Sequence, residues 1–257
     1  MELKRRFIFH GHAVAIGGRI VRPDDVMLDP KCASALTVSG GRTSSTLKAT
    51  RFNKYVRLAS AETLAEGVFD KPKQIFEFRD KPVRETELTS TTTVRVDVQG
   101  LVVGVDGRLA VKRLRGSLTA KSPAAADAET AITLGKDTAI DGVTVGDHRL
   151  VIEINKPLFQ ENTTFSQMKR AAADLVEVRG TIYGSIVREI RWRGKPYPGA
   201  RIDGHSVHVP DFGWMYFGEI LIKGDSRRVT LLRLELGSQQ GGGCSAGDYQ
   251  DNGSWGG

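Results

Sequence analysis

Residues 92–116 read TTVRVDVQGLVVGVDGRLAVKRLRG, and their pattern is the clearest structural signal in the chain. In its first part three valines stand at every second position between polar residues, the pattern of a strand with one buried and one solvated face. A second β-prone run follows the dipeptide Asp106-Gly107, which favours a tight turn with positive φ at both positions. The stretch therefore predicts an antiparallel β-hairpin.

Alternating apolar and polar residues recur along the rest of the chain, with turn signals about 8–12 residues apart. The predicted strands cover residues 149–154, 176–183, 186–193 and 229–236, together with the nearly continuous apolar run Trp214–Ile222. Because that run lacks a polar face, we expect it to be a central strand with a neighbour on each side. This spacing predicts a mostly β protein with an antiparallel β-sandwich or β-barrel architecture. The strands form either one unit or two β subdomains that meet near residues 70–90.

Helical signals are few and short. Ser60 is placed to cap a helix over residues 61–67, and Thr164 or Ser166 to cap one over residues 167–175. We therefore expect one or two short helices beside the strands.

Charge divides the chain unevenly. Residues 1–85 hold 16 lysines and arginines against 10 aspartates and glutamates, a net charge of +6, whereas residues 86–257 hold 21 against 20. We expect a basic β-rich region over 1–85 and an antiparallel β region over 86–236, with Asp70–Arg84 as the segment that crosses between them. Such a local excess of positive charge is typical of proteins with an anionic partner, although many solvated surfaces carry as much.

A third region, Gly237–Gly257, holds eight glycines and no aliphatic side chain larger than alanine. Such a segment has little to bury against the entropic cost of ordering it. If it is ordered, we expect this glycine-rich tail to lie along another surface, with Tyr249 and Trp255 as aromatic anchors. That surface belongs either to its own domain or to a neighbouring copy in a homo-oligomer.

The composition, with 40% hydrophobic and 26% charged residues, is that of a folded soluble protein. No apolar run reaches the roughly 18 residues that a membrane helix needs, so no transmembrane segment is predicted. The chain begins with basic residues, as signal peptides do, but His10, Gly11 and His12 interrupt the apolar stretch that should follow. This favours a cytoplasmic location. Two cysteines, Cys32 and Cys244, allow at most one disulfide and exclude a cysteine-based zinc cluster.

The sequence contains none of the common catalytic or nucleotide-binding motifs. A phosphate-binding loop, a dinucleotide fingerprint, a serine elbow, a His-Glu-x-x-His helix and a calcium loop are all absent. Because the signals for architecture are clear and those for chemistry are missing, we expect a non-catalytic binding or structural β protein without a cofactor. The sequence does not identify its partner.

An alternative is a metal-binding protein or metal-dependent enzyme built on His10 and His12. Residues two apart on a strand project from the same face, so both imidazoles would reach one divalent transition metal ion. His205 or His208 would supply a third ligand, and Glu219 a carboxylate. Against this, the strand that carries His10 and His12 has apolar residues on both faces, which is typical of structural histidines.

A third hypothesis is the binding of nucleic acid or another anion. Four basic residues recur at every third position, with Phe52 and Tyr55 between them: Lys48, Arg51, Lys54 and Arg57. Cations that follow a phosphate backbone, with rings that stack on bases, bind single strands, and cations alone suit an acidic surface such as a lipid headgroup. A second basic group surrounds Trp192 and consists of Arg188, Arg191, Arg193 and Lys195. Neither group lies in a recognised nucleic-acid-binding motif.

Overall fold

The computed structural model describes residues 6–22, 24–52, 54–70, 88–104, 106–125, 127–171, 175–237, 241–251 and 253–256. Within these residues the chain forms 21 β-strands and two short α-helices, so the prediction of a mostly β fold is confirmed. The segment predicted to cross between two regions, Asp70–Arg84, lies outside the described residues except for Asp70.

The strands are β1 (Arg6–Ile8), β2 (Gly11–Ile20), β3 (Val26–Ala35), β4 (Gly41–Leu47), β5 (Thr50–Arg51), β6 (Val56–Leu58), β7 (Ser60–Phe69), β8 (Thr89–Val103), β9 (Leu109–Pro123), β10 (Ala131–Leu134), β11 (Ala139–Val145), β12 (His148–Ile154), β13 (Val176–Val178), β14 (Thr181–Ser185), β15 (Val187–Arg193), β16 (Arg201–Asp203), β17 (Ser206–Val209), β18 (Gly213–Lys223), β19 (Ser226–Leu236), β20 (Gly242–Asp251) and β21 (Ser254–Gly256).

Ten strands form the first sheet, in the order β15-β12-β11-β9-β8-β6-β5, with β7 and then β4 extending from β8, and β10 beside β9. Its longest members, β8 and β9, form the hairpin that residues 92–116 predict, and their pairing ends at Val103 opposite Leu109. The turn is longer than predicted, because five residues join the two strands. Of its described residues, Gly104 and Gly107 have positive φ, whereas Asp106 does not.

Nine strands form the second sheet, in the order β13-β14-β18-β19-β20-β2-β3, with β17 beside β18 and β16 beside β17. β18 is central, as its apolar run predicts: it pairs with β19 on one side and with β14 and β17 on the other. The two sheets pack face to face, with β2 and β20 against β7, β8 and β9, and a single cluster of buried side chains lies between them. This arrangement is a β-sandwich, and the described strands form no closed barrel.

One of the two predicted helices is wrong. Residues 60–69 form β7, which pairs with β4 and β8. Alternate side chains from Ala61 to Ala65 are buried, so contacts with the neighbouring strands and the core outweigh the local preference for a helix. The helices of the structure are α1 (Lys156–Glu161) and α2 (Phe165–Ala171), and the Thr164 hydroxyl caps α2 by accepting a hydrogen bond from the Gln167 amide at 3.2 Å. Neither described helix is long and apolar enough to cross a membrane.

The glycine-rich tail forms part of the second sheet. β20 pairs along its length with β19 on one side and β2 on the other, so strands from all three regions of the sequence share this sheet. Tyr249 is fully buried, and its hydroxyl group fills the space that a side chain at Gly116 would need. Trp255 lies opposite Phe7 in the pair of β21 and β1, and its side chain lies outside what the structure describes.

A row of residues across the first sheet reverses the alternation of buried and exposed side chains. On β8 the core-facing positions are even-numbered before Gly100 and odd-numbered after it. Gly100 on β8 and Gly142 on β11 both have a φ of +61°, a conformation that costs free energy for residues with a side chain. We call Ala59, Gly100, Lys112 and Gly142, which stand side by side on four adjacent segments, the reversal row.

Substitution of Gly100 by alanine tests the reversal row. The new Cβ would lie 2.8 Å from the Ala59 Cβ, and the residue would have to keep a left-handed φ. We expect Gly100→Ala to lower the free energy of unfolding by about 3 kcal/mol, measured by urea denaturation. Gly224→Ala is the control, because Gly224 has a φ of +50° with open space around it, and should cost about 1 kcal/mol. Equal losses in the two variants would show that the contact with Ala59 has no role.

Truncation tests whether β20 is an integral strand. We expect a chain that ends after Leu236 to lose cooperative thermal unfolding in circular dichroism, because β2 and β19 would lose their shared neighbour. A chain that ends after Asp251 lacks β21 alone and should melt within about 5 °C of the full chain. If the shorter chain melts like the full one, β20 is dispensable and this prediction is wrong.

Candidate functional site

The predicted metal ligands do not converge on one point. His10 and His12 lie close together, with their ring centroids 5.9 Å apart. His205 and His208 lie at β17, and β18, β19 and β20 stand between β17 and β2, so strand spacing alone separates the two pairs by about 19 Å. Within the described residues, no three histidine, cysteine or acidic side chains lie close enough to hold a metal ion.

The fifth predicted ligand, Glu219, belongs to a row of side chains on the second sheet that the sequence analysis did not single out. Its two oxygens accept hydrogen bonds from Arg233 at 2.6 and 2.8 Å. The Arg233 guanidinium lies 3.9 Å from the ring centroid of Tyr216, which stacks against Trp214, and Arg201 lies over the Trp214 ring. Trp214 and Tyr216, two residues apart on β18, are the signal in the sequence for this row, and Tyr216 stands directly opposite Arg233. The members of this row contact one another, which is typical of residues with a structural role.

His12 is half-buried and faces three charged or titratable groups. Burial lowers the pKa of His12 below its ordinary value. The carboxylate of Asp248 acts in the opposite direction, while His10 and Arg228 lower the pKa further. Because Asp248 is held by two hydrogen bonds from Arg228, at 2.5 and 2.9 Å, its charge is already compensated.

The second predicted basic group lies on an edge strand. β15 pairs only with β12 among the described strands, and Arg188, Arg191 and Arg193 are exposed along it, as is Lys195 just beyond it. Trp192 packs against the core, so its ring is not a free stacking surface. Charged side chains on an edge strand prevent pairing with other chains, which accounts for this group structurally.

Three members of the first predicted basic group line one cavity. The cavity has a volume of about 240 Å³ and is lined by Arg51, Lys54, Tyr55, Val56, Arg57, Val102, Gly104, Asp106 and Gly107. Arg51 and Arg57 stand directly opposite each other in the short pair of β5 and β6. Directly opposed residues project from the same face with their Cβ atoms about 5 Å apart. The cavity therefore has two guanidinium groups rooted side by side, and we call it the basic pocket.

The turn between β8 and β9 forms one wall of the basic pocket. The Arg57 guanidinium lies 4.0 Å from the point where a Cβ on Gly107 would stand, so Arg57 lies against this turn. Asp106 also lines the pocket, but its carboxylate accepts hydrogen bonds from Arg108 at 2.8 and 3.0 Å. Within the described part of the chain, no carboxylate forms an ion pair with Arg57.

Lys54, which lines the basic pocket, is paired with a carboxylate from a segment that connects two strands of the other sheet. Its Nζ atom lies 2.9 Å from Oδ2 of Asp24, in the segment between β2 and β3, and the Tyr55 hydroxyl donates to the same oxygen at 3.2 Å. The hydrogen bond from Lys54 lowers the pKa of the Asp24 carboxyl, so Asp24 carries its charge at neutral pH. No pattern in the sequence connects Asp24 with Lys54, which lies thirty positions away.

The aromatic side chains between the basic residues are not available for stacking on bases. Tyr55 is 2% exposed and Phe52 is packed against the core. Lys48 is exposed on the approach to β5 and does not line the basic pocket. Three of the four predicted cations therefore line one cavity, whereas the aromatic rings that suggested binding of single-stranded nucleic acid are packed in the protein.

Fold and site together define a β-sandwich protein with a basic pocket at one end of its first sheet. A family model matches residues 7–178 and 164–223, and the chain belongs to that family, which is described as a domain of unknown function (DUF8256). The residues of the basic pocket all lie within the first matched range. No curated protein and no solved structure matches the chain.

The lowered pKa of His12 predicts a dependence of stability on pH. The unfolded chain takes up a proton on this residue at about pH 6.5, whereas the folded chain does so only at lower pH. The free energy of unfolding should therefore fall as the pH decreases below about 6.5, and His12→Gln should reduce that fall. Urea denaturation of both proteins between pH 7.5 and pH 5 measures the difference. Identical pH profiles would show that the environment of His12 makes no contribution.

Proposed function

We propose that this protein is a non-catalytic binding protein and that its basic pocket holds an anionic group of the partner. The observation that carries the proposal is the position of Arg51 directly opposite Arg57, with both side chains lining one cavity beside Lys54. An anion in this cavity would accept charge-assisted hydrogen bonds from the cationic side chains that line it.

The lining of the basic pocket supports binding over catalysis. Its side chains are cationic, apolar or tyrosyl, apart from Asp106, which Arg108 already holds. A general acid or base needs a group that is free to exchange a proton near neutral pH. Arginine and lysine stay charged there and serve as fixed positive groups.

A cytoplasmic location, which the sequence favours, is part of this proposal. Cys32 and Cys244 are both buried and neither is in a disulfide. Cytosolic proteins keep their thiols in this reduced state.

Calorimetric titration with inorganic pyrophosphate at constant ionic strength tests the proposal. We expect Arg57→Gln to weaken binding by at least about tenfold, because a hydrogen bond to a charged group contributes about 1.5–3 kcal/mol. Arg57 is exposed, so the variant should fold normally.

Lys48→Gln is the matched control. It removes one positive charge from the same basic group without touching the pocket, and its affinity should stay within about threefold of the unsubstituted protein. If both variants weaken binding equally, the effect comes from net charge and not from the pocket. If the unsubstituted protein does not bind pyrophosphate, the proposal is wrong.

A further inference from the structure

We infer that the group held in the basic pocket is the dianion of a phosphate monoester, and that Asp24 is an internal competitor for it. This inference rests on the proposed function. It adds the chemical class of the ligand and names a residue outside the predicted basic group that sets the affinity.

The number and kind of cations favour phosphate over carboxylate. A guanidinium group binds two oxygens of a carboxylate or phosphate in a planar fork. A carboxylate has two oxygens and one charge, so a single arginine satisfies it. A phosphate monoester has three terminal oxygens and a charge of about −1.5 to −2 at pH 7. Three cationic side chains line the basic pocket, which is more positive charge than one carboxylate neutralises.

The ion pair between Lys54 and Asp24 favours phosphate for a separate reason. Lys54 already has a carboxylate partner at 2.9 Å, and this partner is tethered to the same chain. A tethered group acts at an effective concentration in the millimolar range or above. A carboxylate ligand would only replace the Asp24 carboxylate at Lys54, so this exchange would add no binding free energy. A dianion brings a second charge, so it can displace Asp24 and recruit Lys54.

The size and walls of the basic pocket favour a small phosphate monoester over a nucleic-acid strand. A volume of about 240 Å³ lies below the roughly 300–1,000 Å³ of pockets that hold drug-sized ligands, which suits a phosphate with a few further atoms. Binding of single strands uses exposed rings for the bases, and Tyr55 and Phe52 are not exposed. A phosphodiester also carries only one negative charge per phosphate, so its attraction to the cations of the pocket is weaker.

Calorimetric titrations with four probes at constant ionic strength test the ligand class. The probes are methyl phosphate, acetate, sulfate and an oligothymidylate without terminal phosphates. At pH 8 we expect methyl phosphate to bind at least about tenfold more tightly than acetate and than the oligonucleotide per site. Below about pH 6 methyl phosphate becomes a monoanion and should bind less tightly. Sulfate keeps both charges, so its affinity should change much less and reports any titration of the protein itself.

The Asp24→Asn variant tests the internal competitor. Removal of the carboxylate frees Lys54, and we expect methyl phosphate to bind at least about threefold more tightly. Asp25→Asn is the matched control, because Asp25 is the next residue, is equally exposed and pairs with Arg19 away from the pocket. The two variants have the same net charge, so a difference between them isolates the contact with Lys54.

The outcomes separate this inference from the proposed function. Equal binding of acetate and methyl phosphate, weakened in both cases by Arg57→Gln, would keep the anion pocket and overturn the phosphate assignment. Tighter binding of the oligonucleotide than of methyl phosphate would overturn it in favour of nucleic acid. Equal affinities in Asp24→Asn and Asp25→Asn would overturn the role of Asp24. If pyrophosphate binds and methyl phosphate does not, the phosphate-monoester assignment alone is wrong; if pyrophosphate fails to bind, the proposed function is wrong as well.

Discussion

The reversal of side-chain alternation along the first sheet is the constraint on which the basic pocket depends. Arg57 stands opposite Val102, beyond the reversal row, and its neighbours Val56 and Leu58 are buried. If the alternation of β8 continued unchanged past Gly100, Val102 and Arg57 would point into the core. An unpaired buried arginine costs several kcal/mol. The left-handed glycines of the reversal row place Arg57 on the outside, where a ligand can reach it.

The second sheet contains the same feature. Gly218 and Gly247 have φ values of +62° and +68°, and they stand on either side of Leu231 across β18, β19 and β20. Tyr216 and Glu219 both face outwards on β18 although they are three residues apart, because the alternation changes between them. Arg233 therefore contacts both side chains from the neighbouring strand. In both sheets a left-handed glycine reverses the alternation and brings together polar groups that a regular strand would separate.

Much of this fold could be predicted from the sequence, because strand alternation is a local signal. The hairpin of β8 and β9 and the central position of β18 follow from spacing and from the lack of a polar face. β7 could not be predicted in the same way, because its alanines and glutamates suit a helix in isolation. The contacts that make it a strand come from β4 and β8. The glycine-rich composition of β20 likewise hides a strand, since its backbone pairing depends on partners far away in the sequence.

The candidate site was predicted only in part, for a physical reason. The spacing of Arg51, Lys54 and Arg57 indicated a basic surface, and the structure gathers these three residues around one cavity. The rings that suggested base stacking are buried, which only the packing of the core reveals. Asp24 was missed because it reaches Lys54 from the other sheet. Contacts between sheets leave no periodic trace in the sequence.

The position of β20 determines when the molecule can fold during its synthesis. β2 leaves the ribosome early, but one of its two neighbours lies at residues 242–251 of the sequence. Until those residues emerge, β2 and β19 both present open edges, which are sites of aggregation. Pairing between strands so distant in sequence also slows folding, because a long loop must close first. A chain that lacks residues 242–251 therefore cannot complete its second sheet.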